Sequence, residues 1–212
     1  MTTPTGPGRL FVDEPAVDAA GVALLLGHGA GGGVDAADLA LLARRLPPHG
    51  VTVVRFEQPW RTAGKKVAAA PPRLDLGWRA AVAALLDRGQ PIGRLFFGGR
   101  SAGARVACRT ASDYDVSGVV CLAFPLHPPG RPDRSRAAEL SLPRVPRLVL
   151  QGSGDAFGGP DEVRRAAAGN PLVRVVELPG ADHGFRLAAA SPLLPSELRE
   201  LIVTEVCGFL QV

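Results

Sequence analysis

Short, largely apolar segments recur along this chain and constrain its fold more than any other feature. Six of them have the length of strands and occupy residues 22–26, 51–56, 95–97, 116–123, 145–150 and 172–178. Segments of this kind suit strands that are buried on both faces, as in a parallel sheet. Helical patterns lie between or after them, at residues 35–46, 74–88, 102–111, 160–168 and 195–210. This alternation predicts an α/β fold in which helices cover both faces of a mostly parallel, twisted sheet, with residues 9–12 as a short edge strand.

The length and composition of the chain limit its class. With 212 residues, the chain can bury one substantial core, and we expect a single domain over residues 9–212 after a disordered tail at residues 1–8. No apolar stretch has the length of a membrane span or the form of a secretory signal peptide. The three cysteines are far apart in the sequence and lie in apolar segments, which indicates buried free thiols. We therefore expect a cytoplasmic protein without a membrane contact. Basic residues are scattered and aromatic residues are few, which argues against nucleic acid as a partner.

The third apolar segment leads into the turn Gly99-Arg100-Ser101-Ala102-Gly103, and a helical pattern of small residues follows. This succession of strand, sharp turn and helix is typical of a nucleophile elbow, in which a strained backbone points the serine hydroxyl out above the sheet edge. A Cβ atom at Gly99 or Gly103 would collide where the strand and the helix approach each other. The turn therefore predicts that Ser101 is a nucleophile.

Two further polar turns follow predicted strands, at Asp155 and at His183. Ligands of open parallel sheets bind beyond the carboxyl ends of the strands, where these turns meet. The order Ser101, Asp155, His183 is that of the catalytic triad in α/β-hydrolases. A serine hydroxyl needs a base to take its proton, a histidine can do so near neutral pH, and a carboxylate holds the imidazole in the required tautomer. His127 also follows a strand but precedes Asp155, so chain order favours His183 as the base.

Backbone N–H groups are expected to stabilise the oxyanion that forms in such a reaction. One donor should be Ala102, at the N-terminus of the helix after the nucleophile, where the helix dipole favours negative charge. The second should lie in the glycine-rich turn after the first buried strand, with Ala30 as the first choice and Gly29 as the second.

The same glycine-rich turn supports a different function. Gly27, Gly29 and Gly32 fit the spacing of a dinucleotide-binding fingerprint after a strand and before a helix, and Glu57 ends the next strand, where a ribose-binding acid would lie. A dinucleotide-binding oxidoreductase is therefore an alternative, although it leaves Ser101 and the other two polar turns without a role.

Large side chains that follow the strand ends either form a substrate pocket or only pack the loops. These candidates are His28, Trp60, Leu126, His127, Phe157 and Phe185. The basic loop with Arg61, Lys65 and Lys66 either attracts an anionic substrate or, as is usual for charged runs, forms a solvated surface. Arg100 beside the nucleophile either tunes the site or makes an outward salt bridge.

Several of these motifs together are similar to one known family. They lie at residues 28–31, 98–103, 124–130, 151–158 and 182–183. Over residues 10–211 the chain resembles the hydrolase-like domain of testis-expressed protein 30 and its bacterial relatives and, more distantly, dienelactone hydrolases. The resemblance implies an α/β-hydrolase fold without a large cap domain, with nucleophile, acid and base at Ser101, Asp155 and His183. Dienelactone hydrolases have cysteine in place of Ser101, so their substrate is not carried over.

We therefore expect a serine hydrolase that cleaves a small ester, thioester or related acyl substrate through an acyl-enzyme, without a metal or another cofactor. The expected partner is this small acyl substrate. The alternative is a non-catalytic binding or scaffold module on the same fold, because the family that the chain resembles includes a scaffold subunit of a nuclear acetyltransferase complex.

Overall fold

Seven strands form the central sheet of the molecule, and a two-stranded ladder precedes it. The computed structural model describes residues 1–16 and 21–212. In chain order, the strands are β1 (Thr2–Thr3), β2 (Gly6–Pro7), β3 (Arg9–Asp13), β4 (Val22–Gly27), β5 (Val51–Glu57), β6 (Arg94–Arg100), β7 (Gly118–Leu122), β8 (Arg147–Gly152) and β9 (Val173–Leu178). The order across the sheet is β3-β5-β4-β6-β7-β8-β9, with β3 antiparallel to β5 and all other neighbours parallel. The predicted parallel sheet with an edge strand is therefore confirmed.

The helices cover both faces of this sheet. In chain order, they are α1 (Ala37–Arg45), α2 (Pro59–Thr62), α3 (Pro71–Leu86), α4 (Ala102–Thr110), α5 (Ala137–Ser141), α6 (Pro160–Ala166) and α7 (Pro195–Leu210). Apolar side chains of α1 and α7 pack on one face, and those of α2 to α6 pack on the other. None of the helices in the described residues is long and apolar enough to span a membrane.

Burial on both faces explains why the central strands lack polar alternation. Every residue of β4 and of β7 is buried. In β6, Phe97 points to the layer of α3, where its ring meets the Trp78 ring edge-on at 5.3 Å between centres, while Phe96 points to the layer of α7. The central strands β4, β6 and β7 thus supply apolar side chains to two cores.

The structure differs from the sequence-based expectation at the start of the chain. Residues 1–8, predicted to be a disordered tail, form the ladder of β1 and β2. The Thr3 hydroxyl donates to the Gly6 carbonyl at 2.7 Å, and the N-terminal amine donates to the Gly8 carbonyl at 3.0 Å. Composition favours disorder for a segment of Thr, Pro and Gly, but the same residues close a turn when a hydroxyl and a glycine stand at the right positions.

Two short helices are absent from the elements that the sequence predicts. The first, α2, begins at Pro59, and the second, α5, lies in the connection between β7 and β8. A proline suits the first position of a helix, since its missing N–H would have no partner there. Because α5 is the only helix in the β7–β8 connection, no large cap domain covers the sheet in the described part of the chain, as predicted.

Cysteine side chains occupy the core as expected. Cys108, Cys121 and Cys207 are buried free thiols. The Sγ atoms of Cys108 and Cys121 are 3.6 Å apart, and the hydrogen bond with Cys108 together with burial raises the pKa of the Cys121 thiol. Burial also raises the pKa of Cys207. These cysteines therefore behave as small apolar side chains.

The strands β4 and β6 and the helix α4 meet at three glycines, Gly27, Gly99 and Gly103. A Cβ atom at Gly99 would lie 2.5 Å from the Gly27 carbonyl oxygen, and one at Gly103 would overlap the same oxygen. These atoms belong to the backbone, which cannot turn aside as the end of a side chain can. The close approach therefore requires glycine.

We predict that Gly103→Ala lowers the free energy of unfolding by about 2 kcal/mol, because the added methyl group meets the Gly27 backbone. Urea unfolding followed by circular dichroism measures the loss. Gly208→Ala is the matched control, since a methyl group at this exposed glycine of α7 has no atom within 4 Å and alanine favours helix over glycine. The control should keep or raise the stability, and a wild-type midpoint for Gly103→Ala would contradict the prediction.

Candidate active site

Ser101 stands at the sharp turn between β6 and α4. Its backbone has φ 51° and ψ −110°, a conformation that non-glycine residues rarely adopt. The Ser101 N–H donates to the Leu122 carbonyl of β7 at 2.9 Å, which anchors the strained residue. Since β6 ends at Arg100, the serine lies at the carboxyl edge of the sheet, as expected for a nucleophile elbow.

Ser101, His183 and Asp155 lie in one chain of hydrogen bonds. The Ser101 Oγ atom is 2.9 Å from His183 Nε2, and His183 Nδ1 is 2.8 Å from Asp155 Oδ2. An ionised carboxylate only accepts hydrogen bonds, so Nδ1 carries the proton and Nε2 turns its lone pair to the serine hydroxyl. The structure thus brings together the three residues that chain order singles out, and His127 is not among them.

The carboxylate of Asp155 is buried, and both of its oxygens accept hydrogen bonds. Its side chain has 0% exposure. Oδ1 accepts from the Phe157 N–H at 2.8 Å, and Oδ2 accepts from the Gln151 side-chain amide at 2.9 Å in addition to His183. The same amide donates to the Gly158 carbonyl at 2.7 Å, so Gln151 is itself fixed. Gln151 lies in the motif at residues 151–158, but its role could not be inferred from the sequence, since a glutamine at the end of a strand does not by itself indicate one.

Arg100 ties the loop that carries His183 to the strand of the nucleophile. Its Nη2 donates to the His183 carbonyl at 2.6 Å, and its Nη1 donates to Asp38 Oδ2 of α1 at 3.0 Å. Burial raises the pKa of the Asp38 carboxyl, and the Arg100 charge opposes that effect. The guanidinium also lies over the Phe185 ring, 5.6 Å from its centre. The sequence left open a role in tuning the site or an outward salt bridge for Arg100. The structure shows a salt bridge, but it points inward to the buried Asp38, and the same guanidinium contacts the histidine loop.

The expected oxyanion donors line the same groove as Ser101. The backbone N–H groups of Ala30 and Ala102 have no acceptor within the part of the chain that the structure describes. Ala102 is the first residue of α4, where N–H groups have no intrahelical partner. Gly29, the second choice in this turn, lines the same groove as Ala30 and Ser101.

His28 fixes the backbone of the glycine-rich turn at residues 28–32 (the oxyanion turn), which carries the expected oxyanion donors Ala30 and Gly29. Its Nδ1 donates to the Gly29 carbonyl at 2.9 Å, and its Nε2 accepts from the Gln58 N–H at 3.1 Å. Burial lowers the pKa of His28, and this pair of contacts requires the neutral ring. In a trans peptide the C=O and N–H groups point in opposite directions, so holding the Gly29 carbonyl turns the Ala30 N–H away from His28.

An open groove of about 450 Å³ contains Ser101 and His183. It is lined by residues 29–32, Pro125 and Phe157, and by three arginines, Arg100, Arg105 and Arg136. Sequence reasoning missed Arg105 and Arg136. Arg105 stands one helical turn after Ser101, so the helical period was an available signal. Nothing in the sequence relates Arg136 to Ser101, because only the fold brings them together.

Of the six side chains predicted as pocket candidates, Phe157 lines the groove, where its ring stacks on the His183 ring at 4.1 Å between centres. His28 and Trp60 line a separate, small cavity behind the oxyanion turn. Their rings are buried and face each other at 5.5 Å between centres. They therefore support the turn and do not face the open groove.

The other three pocket candidates also lie outside this groove. Leu126 and His127 are buried, and the His127 Nδ1 is 2.9 Å from the Pro128 carbonyl. Phe185 packs beneath Arg100. For these side chains the structure supports loop packing, the other alternative that the sequence left open, because Leu126 and His127 are buried and Phe185 contacts Arg100.

The basic loop that the sequence singled out lies away from the groove. Arg61, Lys65 and Lys66 are exposed and do not line it, as expected for a solvated surface. Within residues 1–16 and 21–212, no three His, Cys, Asp or Glu side chains are grouped so that they could hold a metal ion.

The glycine turn does not have the context of a dinucleotide site. Gly27 lies inside β4, and α1 begins only at Ala37, so the turn does not open directly into a helix N-terminus. Glu57, the expected ribose ligand, accepts from the Thr62 hydroxyl at 3.1 Å and faces Arg9 at 3.7 Å. Both observations argue against the oxidoreductase alternative.

Known proteins share this architecture. The structure is similar to that of an alpha-beta serine hydrolase homologue from Coxiella burnetii, with a TM-score of 0.76 and 21% identity over 97% of this chain and 95% of that one. It is also similar to an α/β serine hydrolase without a lid from Xanthomonas campestris, with a TM-score of 0.74 and 26% identity over 99% and 90%. Est1E from Butyrivibrio proteoclasticus gives a TM-score of 0.72 and 12% identity over 97% and 95%.

The family is shown by the sequence itself. Residues 20–211 match the family model of the alpha/beta hydrolase domain. This match spans nearly the whole chain and includes all three residues of the hydrogen-bonded chain and the glycine turn. The protein therefore belongs to the alpha/beta hydrolase domain family.

Proposed function

We propose that this protein is a serine hydrolase that cleaves a small ester, thioester or related acyl substrate through an acyl-enzyme. The observation that carries the proposal is the hydrogen-bonded chain from Ser101 through His183 to Asp155, which opens into a groove. The likeness to bacterial serine hydrolases, one of them described as lacking a lid, supports an open site for a small substrate.

In the first half of the proposed reaction, His183 Nε2 takes the proton of the Ser101 hydroxyl as Oγ attacks the carbonyl carbon of the substrate. The resulting tetrahedral intermediate collapses and expels the alcohol or thiol, which receives the proton from Nε2. The acyl group is then bound to Oγ as an ester. Asp155 accepts the Nδ1 hydrogen bond throughout and stabilises the imidazolium that forms.

In the second half, a water molecule takes the place of the leaving group. His183 removes a proton from the water, which attacks the acyl carbon, and Ser101 Oγ recovers the proton when the acid leaves. The overall reaction adds one water across the acyl bond. The stacked Phe157 ring and the Arg100 contact hold the imidazole in place during both proton transfers.

The oxyanion of both intermediates would be bound by the N–H groups of Ala30 and Ala102. Both donors are free of other acceptors in the described residues, and the N-terminus of α4 adds a favourable dipole. Loss of one such donor typically slows a hydrolase by about 100- to 1,000-fold. The role of His28 in this proposal is to position the Ala30 N–H through the Gly29 carbonyl.

The motifs around His127 and Ser101 also support a relationship to testis-expressed protein 30 within the family. The family that the chain resembles includes a scaffold subunit, which is the reason for the alternative of a binding module. A scaffold has no need of a serine, a histidine and a buried carboxylate at hydrogen-bond distances. The geometry around Ser101 therefore favours the enzyme over the binding module.

We predict that a fluorophosphonate probe labels the wild-type protein and does not label Ser101→Ala, because the probe reacts with an activated serine. Turnover on a panel of short-chain esters and thioesters should fall about 1,000-fold or more in the same variant. Gel fluorescence and initial rates measure the two effects. Ser112→Ala, a change at an exposed serine outside the groove, should label and turn over like the wild type.

Two results would contradict this proposal. One is equal labelling of Ser101→Ala and wild type. The other is a folded wild-type protein that neither labels nor turns over any ester, which would favour the binding module.

We further predict that acid destabilises the protein through His28. Below a pH of about 6.5, the unfolded chain binds a proton at this residue. The folded chain resists that proton, because burial lowers the pKa of His28. Stability is therefore complete above this pH and falls below it, with a slope of up to about 1.4 kcal/mol per pH unit for the one proton.

Urea unfolding at a series of pH values between about 7 and 5 measures this effect. His28→Gln should show a shallower loss of stability than the wild type, since the variant has no proton to bind. His49→Gln makes the same change at an exposed histidine and should keep the wild-type slope. Parallel curves for His28→Gln and the wild type would show that His28 does not resist protonation.

A further inference from the structure

The charges around the catalytic groove point to the kind of substrate that it takes. Three guanidinium groups line the groove, those of Arg100, Arg105 and Arg136, and none of its lining residues within the described chain is acidic. The groove therefore holds cations next to the nucleophile. The net charge that the groove presents to a ligand depends on how many of these guanidinium groups already pair with carboxylates of the protein.

Two of the three cations have carboxylate partners. Arg100 pairs with Asp38 at 3.0 Å. Arg105 makes a two-pronged contact with Glu139, from Nη2 to Oε1 at 2.6 Å and from Nε to Oε2 at 2.8 Å. Glu139 also accepts from Arg109 at 2.8 Å.

The positive and negative charges in the network around Arg105 cancel. Arg109, besides its contact with Glu139, pairs with Asp75 through two bonds of 2.6 and 2.9 Å. Two guanidinium groups therefore face two carboxylates. Neither Arg100 nor Arg105 leaves a net charge for a ligand.

Arg136 is the exception. Its Nη1 donates to the Pro125 carbonyl at 3.0 Å, and its backbone N–H donates to the Leu126 carbonyl at 2.7 Å, so the residue is held in place. In the described part of the chain, no carboxylate lies within ion-pair distance of its guanidinium, and Glu139 is already shared by two other arginines. Burial, and then repulsion by Arg105, lowers the pKa of Arg136, and the more distant charge of Glu139 opposes this effect only in part.

We propose that the groove selects esters or thioesters that carry a carboxylate, and that Arg136 binds this carboxylate during the acyl transfer. The proposal rests on the serine hydrolase function above and adds the class of substrate. A guanidinium matches a carboxylate with two parallel hydrogen bonds. One unneutralised positive charge balances one carboxylate, whereas a phosphate dianion would leave a negative charge in the groove. Arg136 exchanges no proton in this role, so it is a specificity-determining residue.

The test compares substrates that differ only in this charge. We suggest 4-nitrophenyl half-esters of glutaric, adipic and pimelic acid, each beside its methyl ester, with the uncatalysed rate subtracted. The ratio of kcat/KM for the acid over its methyl ester should exceed tenfold in the wild type for at least one chain length, and Arg136→Gln should reduce that ratio by about tenfold or more. Arg136→Lys keeps the charge and should retain part of the preference.

Arg134→Gln is the matched control, since it removes the same charge from an exposed residue two positions away that does not line the groove. It should keep the wild-type ratio. An unchanged ratio in Arg136→Gln, or a wild type that prefers the methyl ester, would overturn the proposal. A reduced ratio in Arg134→Gln would also overturn it, because a general field effect would then explain the preference.

A binding measurement separates this proposal from the proposed function. In folded Ser101→Ala protein, adipate at matched ionic strength should raise the melting temperature, and the rise should disappear when Arg136→Gln is added. If no variant turns over any ester, the serine hydrolase proposal fails, and this measurement still decides on the carboxylate site. No shift with adipate, or a larger shift with inorganic phosphate, would overturn the assignment to a carboxylate.

Discussion

The close backbone contact between β4 and the start of α4 is the constraint on which the site depends. Gly27, Gly99 and Gly103 have no side chains, and the two elements pack at a distance that no Cβ atom would permit. This contact places the carboxyl end of β4 against the N-terminus of α4. The oxyanion turn that follows β4 therefore reaches the serine at the end of β6. In the proposed enzyme, the relative positions of Ser101 and the expected oxyanion donors are therefore set by this backbone contact.

A second constraint is the burial of Asp155. An ionised carboxylate without solvent contact must be surrounded by donors, and Asp155 receives them from the Phe157 N–H, the Gln151 amide and His183. Each of these bonds also fixes the direction of the carboxylate. The requirement to keep a buried charge hydrogen-bonded thus orients the imidazole at the same time.

Much of the fold could be predicted, because the strands of a parallel sheet are buried on both faces and leave apolar segments in the sequence. Val22–Gly27 and Gly118–Leu122 are entirely buried, and both were evident as apolar runs. The start of the chain and α2 could not be predicted in the same way. Their structure depends on single hydroxyl, glycine and proline positions, which also suit a loop.

The residues of the site also fall into those that could be predicted from the sequence and those that could not. Ser101, Asp155 and His183 could be found because each follows a strand, and parallel strands end at one edge. Gln151 and Arg136 could not, since their roles depend on contacts between segments distant in sequence. For the pocket candidates the sequence could not decide between a substrate pocket and loop packing. Position after a strand fixes where the backbone of Leu126 or Phe185 lies, but not whether the side chain points to the groove or to the core.

Arg100 has a mechanical consequence for the proposed enzyme. It directly precedes Ser101, and its side chain donates a hydrogen bond to the main-chain carbonyl of His183, which lies 82 residues after the serine. The two partners of the proton transfer are therefore joined through a single side chain as well as through their own hydrogen bond. The histidine loop cannot move away from the serine without breaking a charge-assisted bond to a mostly buried guanidinium. The conformational freedom of the base is lost once, when the protein folds, and does not have to be lost again in each catalytic cycle.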